Sequence, residues 1–153
     1  MPPQVYNVLF VCADDSARGL MAQAILNRLA GDRFQGWCTT DETAAVHPLA
    51  VQILKSNHLW SGQRAMRYEQ FSGPDAPQMD FVISVGERPT DAAWSRFANH
   101  PVRAQWRITD PAAFAGDPIK CKAAFRHAFA ELENRLKLFV LVWGSPRSRR
   151  LAA

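Results

Sequence analysis

The sequence predicts an α/β protein, a three-layer α/β/α arrangement around a four-stranded parallel sheet. Two observations carry that expectation. Short apolar runs of strand length, 5–11 (VYNVLFV) and 80–85 (DFVISV), lack the alternation of a half-solvated strand and read as strands buried on both faces. Between the runs, apolar residues recur at helical spacing, and strands that alternate with helices fold into a parallel sheet with helices on its faces.

The elements follow in order. The first strand covers 5–11. Leu20, Met21, Ala24, Ile25 and Leu29 then form a helical stripe that ends at Gly31, a candidate C′ glycine. Residues 33–39 read as a second strand containing Trp37 and Cys38. Pro48 opens a helix at its first position, with Leu49, Ile53 and Leu54 on its buried side and an end near His58. A polar loop over 61–67, a helical turn over 68–71 and a second loop over 72–78 lead to the strand at 80–85. A helix is expected over 90–98 and a fourth strand over 102–108. Asp117–Pro118 forms a cap-and-first-position pair for a long helix to Trp143, with Phe125, Ala128, Phe129, Leu132, Leu136 and Phe139 on one stripe. Gly144 and Pro146 stop it. Neither repeat nor linker divides the chain, so 1–153 is expected to be one domain with a basic tail over 144–153.

Composition narrows the function classes. The 153 residues are 48% hydrophobic, with a net charge of +4. No apolar run approaches the ~20 residues that span a bilayer, and the opening MPPQVYNVLF does not have the pattern of a signal peptide. The three cysteines, at 12, 38 and 121, make neither a disulfide framework nor a zinc pattern, and we expect reduced thiols in a cytoplasmic setting. Three arginines in PRSRR form a solvated tail. No basic face with interleaved aromatics exists, so neither nucleic acid nor membrane is an expected partner. The four histidines share no ligand spacing, and no metal site is expected.

The chemistry concentrates where the first strand passes into the first helix. Cys12 follows the strand, and Arg18 returns six residues later as the helix starts. Inward-turned N–H groups of Ala13, Asp14, Asp15, Ser16 and Ala17, the helix N-terminus and a guanidinium together suit a tetrahedral oxyanion. The same field favours thiolate, the nucleophilic form of cysteine. Ligands of such sheets sit outside the carboxyl ends of the strands, where Gly86 and Asp110 also fall.

With these residues in place, the sequence resembles the low-molecular-weight protein tyrosine phosphatase superfamily, and within it the arsenate reductase branch. NVLFVCADDSARGLMAQAILNRLAG, VHPLAVQIL, MDFVISV and TDPAAFAG carry the resemblance, and FSGPDAPQMDFVISV leans toward the reductases. The resemblance implies Cys12 as nucleophile, Arg18 as oxyanion clamp, Ala13 to Ala17 as the cradle and Asp110 as general acid. It implies arsenate reduction, with phosphotyrosine or phosphomonoester hydrolysis as the alternative and a weakened oxyanion-binding or regulatory relative as a third.

Two departures qualify what the resemblance implies. Thioredoxin-coupled reductases of the branch carry two further cysteines after the third strand, where this chain has Gly86 and Ala93. No cofactor is then expected, and electrons would come from an external thiol of the glutathione and glutaredoxin type. Cys38 and Cys121 are expected in or near the core. The family's usual uncharged residue, Asn and Ser or Thr at 14, 15 and 19 are Asp14, Asp15 and Gly19 here. Unit charges ~6 Å apart at an effective dielectric near 20 interact by roughly 3 kcal/mol. Carboxylates that close would offset much of Arg18's attraction and push the Cys12 thiol up, and Gly19 offers no hydroxyl to a thiolate.

Overall fold

A computed structural model describes residues 4–12, 17–40, 46–71, 73–86 and 100–144. Among the described residues, four strands and three helices follow one another as β1 (Tyr6–Cys12), α1 (Ala17–Ala30), β2 (Phe34–Thr40), α2 (Pro48–Ser56), β3 (Phe81–Ser84), β4 (Val102–Gln105) and α3 (Pro118–Trp143). Two 3₁₀ turns, Tyr68–Phe71 and Pro111–Phe114, complete the order. The sheet runs β2-β1-β3-β4 with every neighbouring pair parallel. The expected helix over 90–98 lies outside the described residues.

Successive side chains of a strand point to opposite faces, so each central strand feeds two cores. Val8, Phe10 and Cys12 of β1, with Phe81 and Ile83 of β3, pack against the face that α1, α2 and α3 share. Leu9, Val11 and Val82 pack on the other side against Tyr68, Phe71 and Met79. Burial on both sides explains why these strands read as continuous apolar runs. α1 sits deepest among the helices, and its first turn, including Arg18, is buried.

Helix ends follow local chemistry. The Nδ1 of His47 accepts the Leu49 N–H at 3.1 Å and caps α2, while Pro48 takes the first helical position. Asp117 accepts from the N–H groups of Ile119 and Lys120 and caps α3. The expected stripe of α3 is buried except for Phe129, which is partly exposed. At Gly31 a Cβ would lie 2.4 Å from the Asn27 carbonyl oxygen, so close approach of the backbone requires glycine.

The fourth strand is shorter than the sequence suggests. β4 stops at Gln105 rather than Ile108, because its partner β3 ends at Ser84. Trp106 N–H still reaches the Ser84 carbonyl at 2.7 Å, and Ile108 N–H then bonds back to the Trp106 carbonyl. That turn buries Ile108 and aims its carbonyl inward. On the opposite edge, Met66 bridges Thr39 and covers the outer side of β2.

Candidate active site

The strand order reverses beside β1, since the chain leaves it for β2 on one side and later places β3 on the other. Such a switch point opens a crevice at the carboxyl ends of the strands. Cys12 is the last residue of β1, still paired with Thr40, rather than the first residue of a loop. It is fully buried. Its sulfur accepts the Gly19 N–H at 3.1 Å, and Gly19 belongs to the first turn of α1. The first N–H groups of a helix have no intrahelical acceptor and carry partial positive charge, which stabilises a thiolate placed there.

Arg18 precedes that donor and is 1% exposed. One terminal nitrogen donates to the Ile108 carbonyl at 2.7 Å, and the other lies 4.0 Å from the point where a Cβ on Gly86 would stand. The guanidinium therefore ties α1 to the segment after β4 and lies close to Gly86, just past the end of β3. Its fixed fork suits a tetrahedral anion better than a flexible ammonium would.

Asp110 stands two residues beyond Ile108, half-buried. Its Oδ1 accepts the Ala112 N–H at 3.0 Å and caps the second 3₁₀ turn. The Cys121 thiol, in the first turn of α3, donates to the Pro111 carbonyl at 3.6 Å and ties that turn to the long helix. Cys121 is buried, as expected, and so is Cys38. Cys12, Arg18 and Asp110 thus sit on the ends of β1, α1 and the segment after β4. Ala17 is the first residue of α1, whereas Ala13, Asp14, Asp15 and Ser16 lie outside the described residues. The charge effect expected of the two aspartates therefore has no geometry here.

Two strand-end hydroxyls escaped the sequence reading. Thr40 and Ser84 are each 1% exposed, and neither Oγ atom has a hydrogen-bond partner among the described residues. Thr40 is the register partner of Cys12, and Ser84 that of Val11. Their only sequence signal is a hydroxyl residue closing an apolar parallel strand. A buried hydroxyl without a partner costs about 1–3 kcal/mol. Thr40→Val should therefore raise stability by about 1 kcal/mol in a denaturant titration, and a loss of stability would mean that the hydroxyl is satisfied in solution.

Comparisons with known proteins place the chain in a family and a fold. Residues 7–145 match the model of the low molecular weight phosphotyrosine protein phosphatase family. An arsenate reductase in its phosphate binding state superposes with a TM-score of 0.70 at 23% identity, covering 90% of this chain and 98% of its own. The arsenate reductase from Archaeoglobus fulgidus DSM 4304 has a TM-score of 0.65 at 26% identity, covering 87% of this chain and 98% of its own. Vibrio vulnificus Wzb in complex with benzylphosphonate has a TM-score of 0.67 at 13% identity, covering 89% and 97% respectively. No curated protein sequence matches the chain. Among the described residues, no helix is long and apolar enough to cross a membrane. With its parallel sheet, its cysteine at the end of β1 and its buried arginine in the first turn of α1, the chain belongs to the low molecular weight phosphotyrosine protein phosphatase family.

Proposed function

We propose that this protein is an arsenate reductase-like enzyme in which the Cys12 thiolate attacks a tetrahedral oxyanion and an external thiol completes the reduction. The observation that carries the reading is the Gly19 N–H bond to the Cys12 sulfur beside the buried Arg18 guanidinium. The Archaeoglobus fulgidus arsenate reductase, at 26% identity over most of both chains, supports the choice of substrate. In this reaction the sulfur bonds to arsenic, and an arsenate oxygen leaves as water with a proton from Asp110. A glutathione-type thiolate then attacks the Cys12 sulfur. The S–As bond breaks with its electron pair on arsenic, which leaves as arsenite, and Cys12 is left in a mixed disulfide. A second thiol, directly or through a glutaredoxin-type partner, reduces that disulfide.

Position 86 supports the external donor. It adjoins Arg18, as a relay cysteine there would, yet it is glycine. Position 93 lies outside the described residues. Arsenite release with glutathione and glutaredoxin tests the reading, and failure to turn over with every thiol donor would overturn it.

The family match favours phosphomonoester hydrolysis as the second reading. Water would then release phosphate from Cys12, with Asp110 protonating the leaving oxygen. General acid catalysis contributes about 10²–10⁴. Asp110→Asn should slow hydrolysis of an aryl phosphate by about 10² or more, and a rate indifferent to the change would exclude Asp110 from that role. A weakened oxyanion-binding relative is the third reading, motivated by Asp14 and Asp15 in the sequence.

A further inference from the structure

Gly19 separates two sulfurs. An ideal Cβ on Gly19 would lie 2.6 Å from the Cys38 sulfur and 3.0 Å from the Cys12 sulfur. The first distance is shorter than any real contact, so a side chain at 19 requires Cys38 to move. The space beside the α-carbon is filled instead from β2. The two sulfurs converge on one point and are no farther apart than those two distances combined. Both residues lie on the helix-covered face of the sheet, Cys12 0% and Cys38 1% exposed.

We propose that Cys38 is a positioning residue for the nucleophile, its S–H and the Gly19 N–H together holding the Cys12 sulfur as thiolate. The proposal rests on the assignment of Cys12 as nucleophile above. A buried anion stripped of water depends on donors aimed at it, and each donor favours the charged form. A cysteine S–H is a weak donor, yet in a dry pocket a weak donor counts. Cys38 keeps its proton while Cys12 releases its own to solvent. Arg18, one residue before Gly19, supplies positive charge from the same helical turn.

Register argues against a covalent role. Cys38 pairs with Phe10, whereas Cys12 pairs with Thr40, so the cysteines are diagonal neighbours across β1 and β2. Diagonal positions in a sheet lie about 7–8 Å apart. A disulfide needs α-carbons within ~7 Å unless the backbone moves. Here the two strands are held in register over all seven residues of each.

The test is a pH titration of thiolate ultraviolet absorbance, assigned to Cys12 by subtracting the Cys12→Ser variant. Cys38→Ala should move the Cys12 midpoint up by about half to one pH unit, the size expected for one lost hydrogen bond. Cys38→Ser keeps a donor and should leave the midpoint at or below that of the parent. Cys38→Val, a second variant without a donor, should repeat the Cys38→Ala shift and guards against a fold defect in either. Equal shifts in Cys38→Ala and Cys38→Ser, or none in Cys38→Ala and Cys38→Val, would overturn the proposal. So would a stoichiometric Cys12–Cys38 disulfide, mapped by mass spectrometry after arsenate treatment without external thiol. The titration needs no substrate, so a failure of arsenate turnover would overturn the reductase reading separately.

Discussion

Cys12→Ser is expected to lower turnover by at least about 10⁴ while leaving the protein folded and able to bind an oxyanion. Removing a nucleophile costs on that order because no neighbouring group replaces the bond it forms. A serine hydroxyl in the same pocket ionises far less readily than a thiol, and a serine–arsenate ester offers no sulfur for the external thiol to attack, so no electron pair would return to arsenic. The Gly19 N–H that meets the sulfur at 3.1 Å and the buried Arg18 both remain. Arsenate or phosphate affinity, measured by calorimetry, should therefore change by less than about tenfold, since the anion-binding groups are separate from the attacking atom. A variant that keeps turnover within tenfold of the parent would place the nucleophile elsewhere. Cys121 is poorly suited to take over, because its thiol is buried against the Pro111 carbonyl.

Much of the fold was legible because burial leaves simple patterns. The runs that became β1 and β3 are apolar without alternation, as strands covered on both faces must be. The start of α3 was visible as Asp117–Pro118 and that of α2 as Pro48, where local chemistry alone sets the helix start, whereas the His47 cap of α2 was not visible. The end of β4 was not visible. Residues 106–108 have strand-like composition, yet a strand lasts only as long as its partner, and β3 ends at Ser84. The placement of Cys12, Arg18 and Asp110 near the carboxyl end of the sheet was legible because strands that alternate with helices have a direction and a known end. Cys38 was read as core, and it is buried. What the sequence hid is its company, since contact with the first turn of α1 depends on register across β1 and β2. Gly19 read as a missing hydroxyl, whereas in space it is the gap that admits a second sulfur. Thr40 and Ser84 stayed hidden for the same reason, because a hydroxyl's hydrogen-bond partners are a tertiary property.

Arg18→Lys should lower kcat/KM for the oxyanion by about 10²–10³, the usual cost of losing one preorganised donor to a developing oxyanion. The substitution keeps the charge, so the loss measures geometry. One terminal nitrogen of Arg18 is held by the Ile108 carbonyl at 2.7 Å, and the other lies beside Gly86. A guanidinium serves both positions with one rigid plane, so the end of β4 sets the direction in which the remaining donors face. A lysine ammonium is a single point on a flexible stem and meets the carbonyl or the anion, not both. If it stays on the anion, the buried Ile108 carbonyl loses its donor and stability falls by about 1–3 kcal/mol. If it stays on the carbonyl, stability is kept and oxyanion affinity falls. Thermal unfolding measured with and without arsenate separates these outcomes. A lysine variant that loses neither stability nor more than threefold in kcat/KM would show that the bond to Ile108 does not orient the clamp. The charge of Arg18 would then matter and its shape would not, a different account of why this arginine is buried in the first turn of α1.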